Sequence, residues 1–213
     1  MATSFDLFDT LLSVPRPADP AAAVAAELDA RDVTVPTDWA SAYREPHVDV
    51  PDGAELPLPA HVAAALRSRG VDPTDGDGHG NAVRRAVVAA FDPTDVDTHP
   101  DAPDAVRAAA RVGPVCVLSN CSVPGLVRRA LRRSALDADA FDEIVTSVAC
   151  GWRKPDRRAF AAVAGRLDVP LADLRHVGDD PRTDGGADAA GAHGILVDET
   201  PLAALPDRLG ETR

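Results

Sequence analysis

The sequence predicts an α/β fold: a parallel sheet flanked by helices, with an α-helical insertion after the first strand. Three observations predict it. An apolar segment opens the chain and runs into a turn. Residues 15–112 follow as Ala-rich stretches of helical spacing, cut by Pro and Gly. After Gly113, strands alternate with helices of about ten residues, the pattern of βαβ units. On this reading residues 1–14 and 113–213 form the core, and 15–112 form the insertion with its linkers.

Each element has its own signal. Ser4 to Leu12 reads as a short buried strand entering a turn, with Asp6 near its end. Asp19 to Asp32 opens on Asp-Pro, a good helix start. Pro59 to Arg69, Asn81 to Phe91 and Pro103 to Arg111 continue in that style. The stretches between them, PTDWASAYREPHVDVPDGAELPLP and DPTDGDGHG, carry turn residues and read as loops. DGDGHG resembles a calcium loop, but the twelfth position from Asp75 is Ala86, where such a loop needs Glu. Beyond Gly113, Pro114 to Ser119 is a continuous apolar run, as in a parallel strand buried on both faces. Val123 to Arg133 is a helix, Glu143 to Ser147 a strand and Pro155 to Leu167 a helix. Leu174 to Val177 is a strand, Thr183 to Ala190 a helix and Gly194 to Val197 a strand.

Composition narrows the function classes. The 213 residues, 45% hydrophobic, suit one domain with a sizeable insertion. No apolar run reaches the ~18 residues of a membrane span, and MATSFDLFDTLL lacks the basic flank of a signal peptide, so a cytoplasmic protein is expected. The net charge is −12, with 28 Asp among the 34 acids. A field of that sign repels nucleic acid and anionic membranes, and neither is an expected partner. Abundant short acids with few aromatics are the composition of a protein from a high-salt cytoplasm, where surface charge is screened within about 3 Å. Cys116, Cys121 and Cys150 have no C-x-x-C spacing and read as reduced thiols. Of the 22 basic residues, 21 are Arg and one, Lys154, is Lys. A guanidinium is a broad fork and an ammonium a compact point charge, so a narrow site between two oxygens demands Lys.

In open parallel sheets, ligands sit beyond the carboxyl ends of the strands. The residues there make one chemical set: the carboxylate Asp6, the hydroxyl and amide of Ser119 and Asn120, the ammonium Lys154, and the acids Asp179, Asp180 and Asp184.

With those residues in order, the chain resembles the haloacid dehalogenase (HAD) superfamily of hydrolases. The family's D-x-D-x-T motif appears as Asp6-Leu7-Phe8-Asp9-Thr10, with Phe8 in place of the second Asp. The strand ending in Ser or Thr appears as VCVLSN with Ser119, the Lys-Pro motif as GWRKPD with Lys154, and the acidic motif as HVGDDPRTD with Asp179 and Asp184. The resemblance covers roughly residues 1–15 and 112–200, and the stretch between matches the family's helical cap.

It implies a Rossmann-like core and a hydrolase acting on a small molecule, as monomer or homodimer. Asp6 would be the nucleophile, with Lys154, Ser119 and Asn120 as its catalytic partners. Mg²⁺ would be held by Asp6, the Phe8 carbonyl oxygen and Asp179, and Asp184 would orient metal waters or Lys154. Family phosphatases have at position 8 an acid that protonates the leaving group, which Phe cannot do, and family dehalogenases have an aromatic residue there. The retained acids favour a Mg²⁺-dependent phosphatase working through an aspartyl phosphate. A 2-haloacid dehalogenase-like carbon hydrolase, or a weakly active or non-catalytic binding protein, stays open as an alternative. Arg16, Arg44, His47 and Arg67 are candidates to touch the substrate, and the dibasic pairs at 84–85, 128–129 and 132–133 read as helix faces pairing with Asp.

Overall fold

The structure is a computed structural model that describes residues 1–210; positions 211–213, the end of the expected core, lie outside the described residues. In chain order the elements are β1 (Ala2–Phe5), β2 (Leu12–Ser13), α1 (Pro20–Asp29), α2 (Trp39–Arg44), α3 (Leu58–Arg67) and α4 (Ala82–Ala90). Then come β3 (Asp97–Thr98), α5 (Ala102–Val112), β4 (Val115–Ser119), α6 (Leu126–Arg133), β5 (Glu143–Thr146) and α7 (Ser147–Cys150). The chain finishes with α8 (Arg157–Arg166), β6 (Leu174–Gly178), α9 (Gly186–Ala190), β7 (His193–Leu196) and α10 (Leu205–Gly210).

Five strands make one sheet in the order β5-β4-β1-β6-β7, every neighbouring pair parallel. This is the expected Rossmann-like α/β architecture. Strand alternation divides the core. Phe5, Val115, Val117 and Val177 face one apolar cluster, shared with α5, α6, α10 and the helices of the insertion. Ala2, Cys116, Leu118, Val145 and Leu174 face the other, against α8 and α9. That two-sided burial is why the strands read as continuous apolar runs. Cys116 and Cys121 are free and buried, and burial pushes their thiols up to about 12 and about 11.

Helices α1 and α3–α5 fall where periodicity places them. Asp19 caps α1, its side chain accepting from the Ala22 N–H at 3.0 Å, with Pro20 in the first turn. Helix α2 is a correction, because its residues read as a loop. It is only 6 residues long, too short to show a period, and it is fixed by tertiary contacts. Trp39 is buried and donates its Nε1–H to the Ala21 carbonyl at 2.8 Å, and Tyr43 packs edge-on against it. Helix α5 packs against β1, β4 and α10. Among the described residues no helix is long and apolar enough to cross a membrane.

Connections leave β1 toward β4 and β6 toward β7, in opposite directions. The crevice between the carboxyl ends of β1 and β6 is therefore the topological switch point, where ligands bind in such sheets.

Candidate active site

Asp6 follows β1, and its N–H donates to the Val177 carbonyl at 2.8 Å, which fixes the nucleophile candidate at the switch point. Lys154 lies across from it on the loop before α8, 2% exposed. Its Nζ is 3.1 Å from Asp6 Oδ1 and 2.5 Å from Asp184 Oδ1. Asp179 follows β6, and Thr10 donates its hydroxyl to Asp179 Oδ1 at 2.6 Å. One carboxylate oxygen each from Asp6, Asp179 and Asp184 lie within 4.8 Å of one another.

A buried polar chain supports this set from below. Ser4 and His176 are register partners on β1 and β6. The Ser4 Oγ is 2.8 Å from His176 Nδ1, and His176 Nε2 is 2.9 Å from Asp184 Oδ1. An ionised carboxylate only accepts, so Nε2 carries the proton and Nδ1 accepts from the Ser4 hydroxyl. Phe160 packs edge-on to the ring. Burial, then the neighbouring Lys154 charge, push the imidazole pKa down to about 4, so His176 is a neutral donor at physiological pH. Burial alone would raise the Asp184 pKa; the His176 hydrogen bond and the Lys154 charge outweigh it and hold this carboxyl well below the usual range. Its other oxygen, Oδ2, accepts from the Asp180 N–H at 3.0 Å. Gly178 is required here by close approach: a Cβ on it would sit 2.1 Å from Asp184 Cγ.

Asp6 is in the opposite situation. Burial raises its pKa to about 6, the Lys154 charge opposes the rise and the Asp184 charge adds to it. Three close carboxylates face one ammonium, so the donor set fits a divalent cation, to which Asp6 and Asp179 would offer hard oxygen ligands. Asp184, already holding Lys154 and His176, serves chiefly as the anchor of the ammonium.

The structure brings every candidate catalytic and metal-ligating residue named from the sequence to this edge. Asp6, Phe8, Ser119, Asn120 and Asp179 line a cavity of about 550 Å³, with Lys154 and Asp184 beneath it. The Asn120 side chain clamps the lysine backbone. Its Oδ1 accepts from the Lys154 N–H at 2.8 Å, and its Nδ2 donates to the Lys154 carbonyl at 2.9 Å. Asp9, at a left-handed φ of 65°, pairs with Arg16 at 2.9 Å on the cavity rim. Of the candidate substrate contacts, only Arg16 reaches this cavity. Arg67 lines a different one, and His47 and Arg44 bond to backbone carbonyls of α2.

Sequence reading missed Arg153, Thr10, Ser4, His176 and Glu55 as site residues. Arg153 lines the cavity beside Lys154, 3.4 Å from the buried Glu55 Oε1. Glu55 comes from the insertion, accepts from the Ser147 hydroxyl, and its N–H donates to the Gly151 carbonyl at 2.9 Å. Beside it Ala54 bridges Trp152, so the insertion is stitched to the loop that presents Lys154. Thr10 and Arg153 stand inside the quoted motifs but were given no role there; Ser4, His176 and Glu55 gave no signal, because each looks like an ordinary strand or loop residue.

A family profile described as HAD-hydrolase-like matches residues 151–200. No curated protein matches the chain. Among solved structures, a 2-haloacid dehalogenase from Pseudomonas syringae pv. Tomato DC3000 aligns over 100% of this chain and 99% of its own, with 21% identity and a TM-score of 0.64. A HAD phosphatase from Thermococcus onnurineus covers 94% of this chain and 87% of its own, with 15% identity and a TM-score of 0.54. The HAD-hydrolase YfnB from Bacillus subtilis, solved bound to magnesium, covers 90% and 85%, with 20% identity and a TM-score of 0.51. The profile match thus falls on the segment that carries Lys154 and Asp179, and the chain shares the fold of these HAD-type structures along its length.

Proposed function

We propose that this protein is a HAD-like hydrolase, a Mg²⁺-dependent phosphatase acting on a small phosphate monoester. The observation that carries the reading is the trio Asp6, Asp179 and Asp184 within 4.8 Å, facing a single ammonium. A metal-free displacement at carbon would leave that negative charge unbalanced and the nucleophile partly protonated. Bound Mg²⁺ would be held by Asp6, Asp179 and the Phe8 carbonyl, and would polarise the phosphoryl oxygens and offset their repulsion from the nucleophile.

The chain's own residues then supply the rest. An Asp6 carboxylate oxygen attacks phosphorus, the bond to the ester oxygen breaks with its electron pair, and an aspartyl phosphate forms. Lys154 holds the Asp6 oxygen and offers its remaining proton to the phosphoryl group. Ser119, at the end of β4, donates to a phosphoryl oxygen as charge builds there. Water then cleaves the aspartyl phosphate, regenerating Asp6 and releasing phosphate. Asn120 acts through Lys154 as a positioning residue. Of the expected insertion, residues 15–112, the stretch before α5 would serve as the cap, since α5 packs on the sheet, with Arg16 and Arg153 facing the substrate.

Phe8 sits on the cavity wall where an acid would protonate the leaving group. Turnover should therefore depend steeply on the leaving group, with aryl phosphates reacting far faster than alkyl phosphates. Phe8→Asp is expected to raise alkyl phosphate hydrolysis by ~10–100-fold, out of the 10²–10⁴ a positioned acid supplies, and to help the aryl ester less. Parallel rates on the two esters check this; no gain on the alkyl ester would mean that Phe8 is not standing in for a catalyst.

The aromatic Phe8 also favours a second reading, displacement of halide from a 2-haloacid by Asp6. The deciding assay measures phosphate release from aryl phosphate and halide release from a 2-haloacid, each with Mg²⁺ and with EDTA. Mg²⁺-dependent phosphate release supports the phosphatase; halide release in EDTA supports the second reading; neither activity leaves a binding protein. Asp179→Ala is expected to weaken Mg²⁺ binding by at least ~10-fold by titration calorimetry, since it removes one of few protein ligands.

A further inference from the structure

The arginines of this acidic chain are unevenly satisfied. Arg16, Arg69, Arg107, Arg158 and Arg182 each pair with a carboxylate. A groove of about 680 Å³ between α4 and α6 departs from that pattern. Arg31, Arg84, Arg85, Arg128, Arg129 and Arg132 line it, against Asp92 as its one acidic lining residue.

Three of the six are neutralised. Arg31 pairs with Glu27 at 2.5 Å, Arg85 with Asp77, and Arg129 with Asp92 at 3.0 Å. The expectation that the dibasic pairs all meet Asp is thus half right. Arg84, Arg128 and Arg132 are exposed and, among the described residues, have no carboxylate partner. Arg128 and Arg132 stand four apart on α6, a like-charge arrangement that disfavours the helix. The Arg31 Nε is buried and has no hydrogen-bond acceptor. Pro124 and Gly125 bring the amino end of α6, 8 residues long, into the same groove, and the positive end of the helix dipole favours an anion there.

These features share one complement. Guanidinium forks match the oxygens of phosphate in bidentate fashion. Several forks from separate helices around one cavity match several linked phosphates better than a single one. The volume is that of a small-molecule site, in the range of roughly 300–1,000 Å³. No residue of the groove lines the Asp6 cavity. We propose that this groove binds a small molecule carrying two or more linked phosphates, at a site separate from the catalytic one.

The test is calorimetric titration of the whole chain with inorganic tripolyphosphate in EDTA, with orthophosphate as comparison. One saturable site is expected, with tripolyphosphate at least ~10-fold tighter than orthophosphate, because more charge-assisted forks engage. Arg128→Gln with Arg132→Gln should weaken it by at least ~10-fold and Arg84→Gln alone by ~3–10-fold, with the melting temperature not lowered and active-site turnover unchanged. Unaltered affinity in these variants would place the binding elsewhere, including the Asp6 cavity, and overturn the proposal, as would no saturable binding by the parent. Sedimentation adds an independent arm: a dimer in the parent that the double variant dissociates would make the occupant the acidic surface of a second copy, and the small-ligand assignment would fall.

Discussion

Asp6→Asn is expected to abolish turnover while making the metal-free protein more stable at neutral pH. The loss should be on the order of 10⁴-fold or more, the usual cost of deleting a nucleophile. The stability gain follows from linkage. Burial, with the Asp184 charge assisting, raises the folded-state pKa of Asp6 from 3.8 to about 6, against the pull of Lys154. The fold therefore favours the protonated acid. That contribution is fully present below the unfolded value and disappears as pH rises through about 6. A rise of about two pKa units corresponds to about 3 kcal/mol at full ionisation. The uncharged Asn escapes this penalty, so urea denaturation in EDTA should show the variant about 1–3 kcal/mol more stable at pH 7.5 and nearly unchanged at pH 4. Retained turnover would remove Asp6 from the nucleophile role, and a variant less stable at pH 7.5 would show that the carboxylate is not strained in the metal-free site.

Lys154→Arg should cost nearly as much activity. The Nζ touches Asp184 Oδ1 at 2.5 Å, Asp6 Oδ1 at 3.1 Å and His176 Nε2 at 3.4 Å, inside a space that leaves it 2% exposed. A planar fork does not fit between those atoms, and Asn120 holds the backbone on both sides of the residue. Misplacement of this charge by about 1 Å is expected to lower kcat/KM by ~10²–10³-fold. Lys154→Met tests the structural half of the argument. It leaves Asp184 and Asp6 buried with no ammonium between them, and should destabilise the fold by about 3–5 kcal/mol. A Lys154→Arg enzyme near the parental rate would mean that any cation serves.

How much of the fold and site is legible in sequence depends on how local each signal is. The strands β4 and β6 and the helices α1, α3 and α8 are visible because apolar period and turn residues are properties of the chain itself. Their carboxyl ends can then be located, and so Asp6, Ser119, Lys154 and Asp179 group together from the sequence alone. The solitary lysine among arginines marks its own position. Helix α2 is not visible, because Trp39 and Ala42 form a helix only by packing beside Ala21, far along the chain.

The sequence by itself therefore determined the layer architecture, the sheet edge where the candidate site residues gather and the residue types found there. Only the tertiary structure decided who holds whom. It set the Asn120 side chain as a clamp on the Lys154 backbone, and made a strand histidine the neutral support of Asp184. It brought Glu55 of the insertion beneath Arg153, and left Arg84, Arg128 and Arg132 facing one groove without carboxylate partners. The physical reason is that pairings of buried charges are long-range. His176 meets Ser4 across 172 positions and Ser147 meets Glu55 across 92, and nothing in a local window records which distant donor will complete an acceptor once water has been excluded.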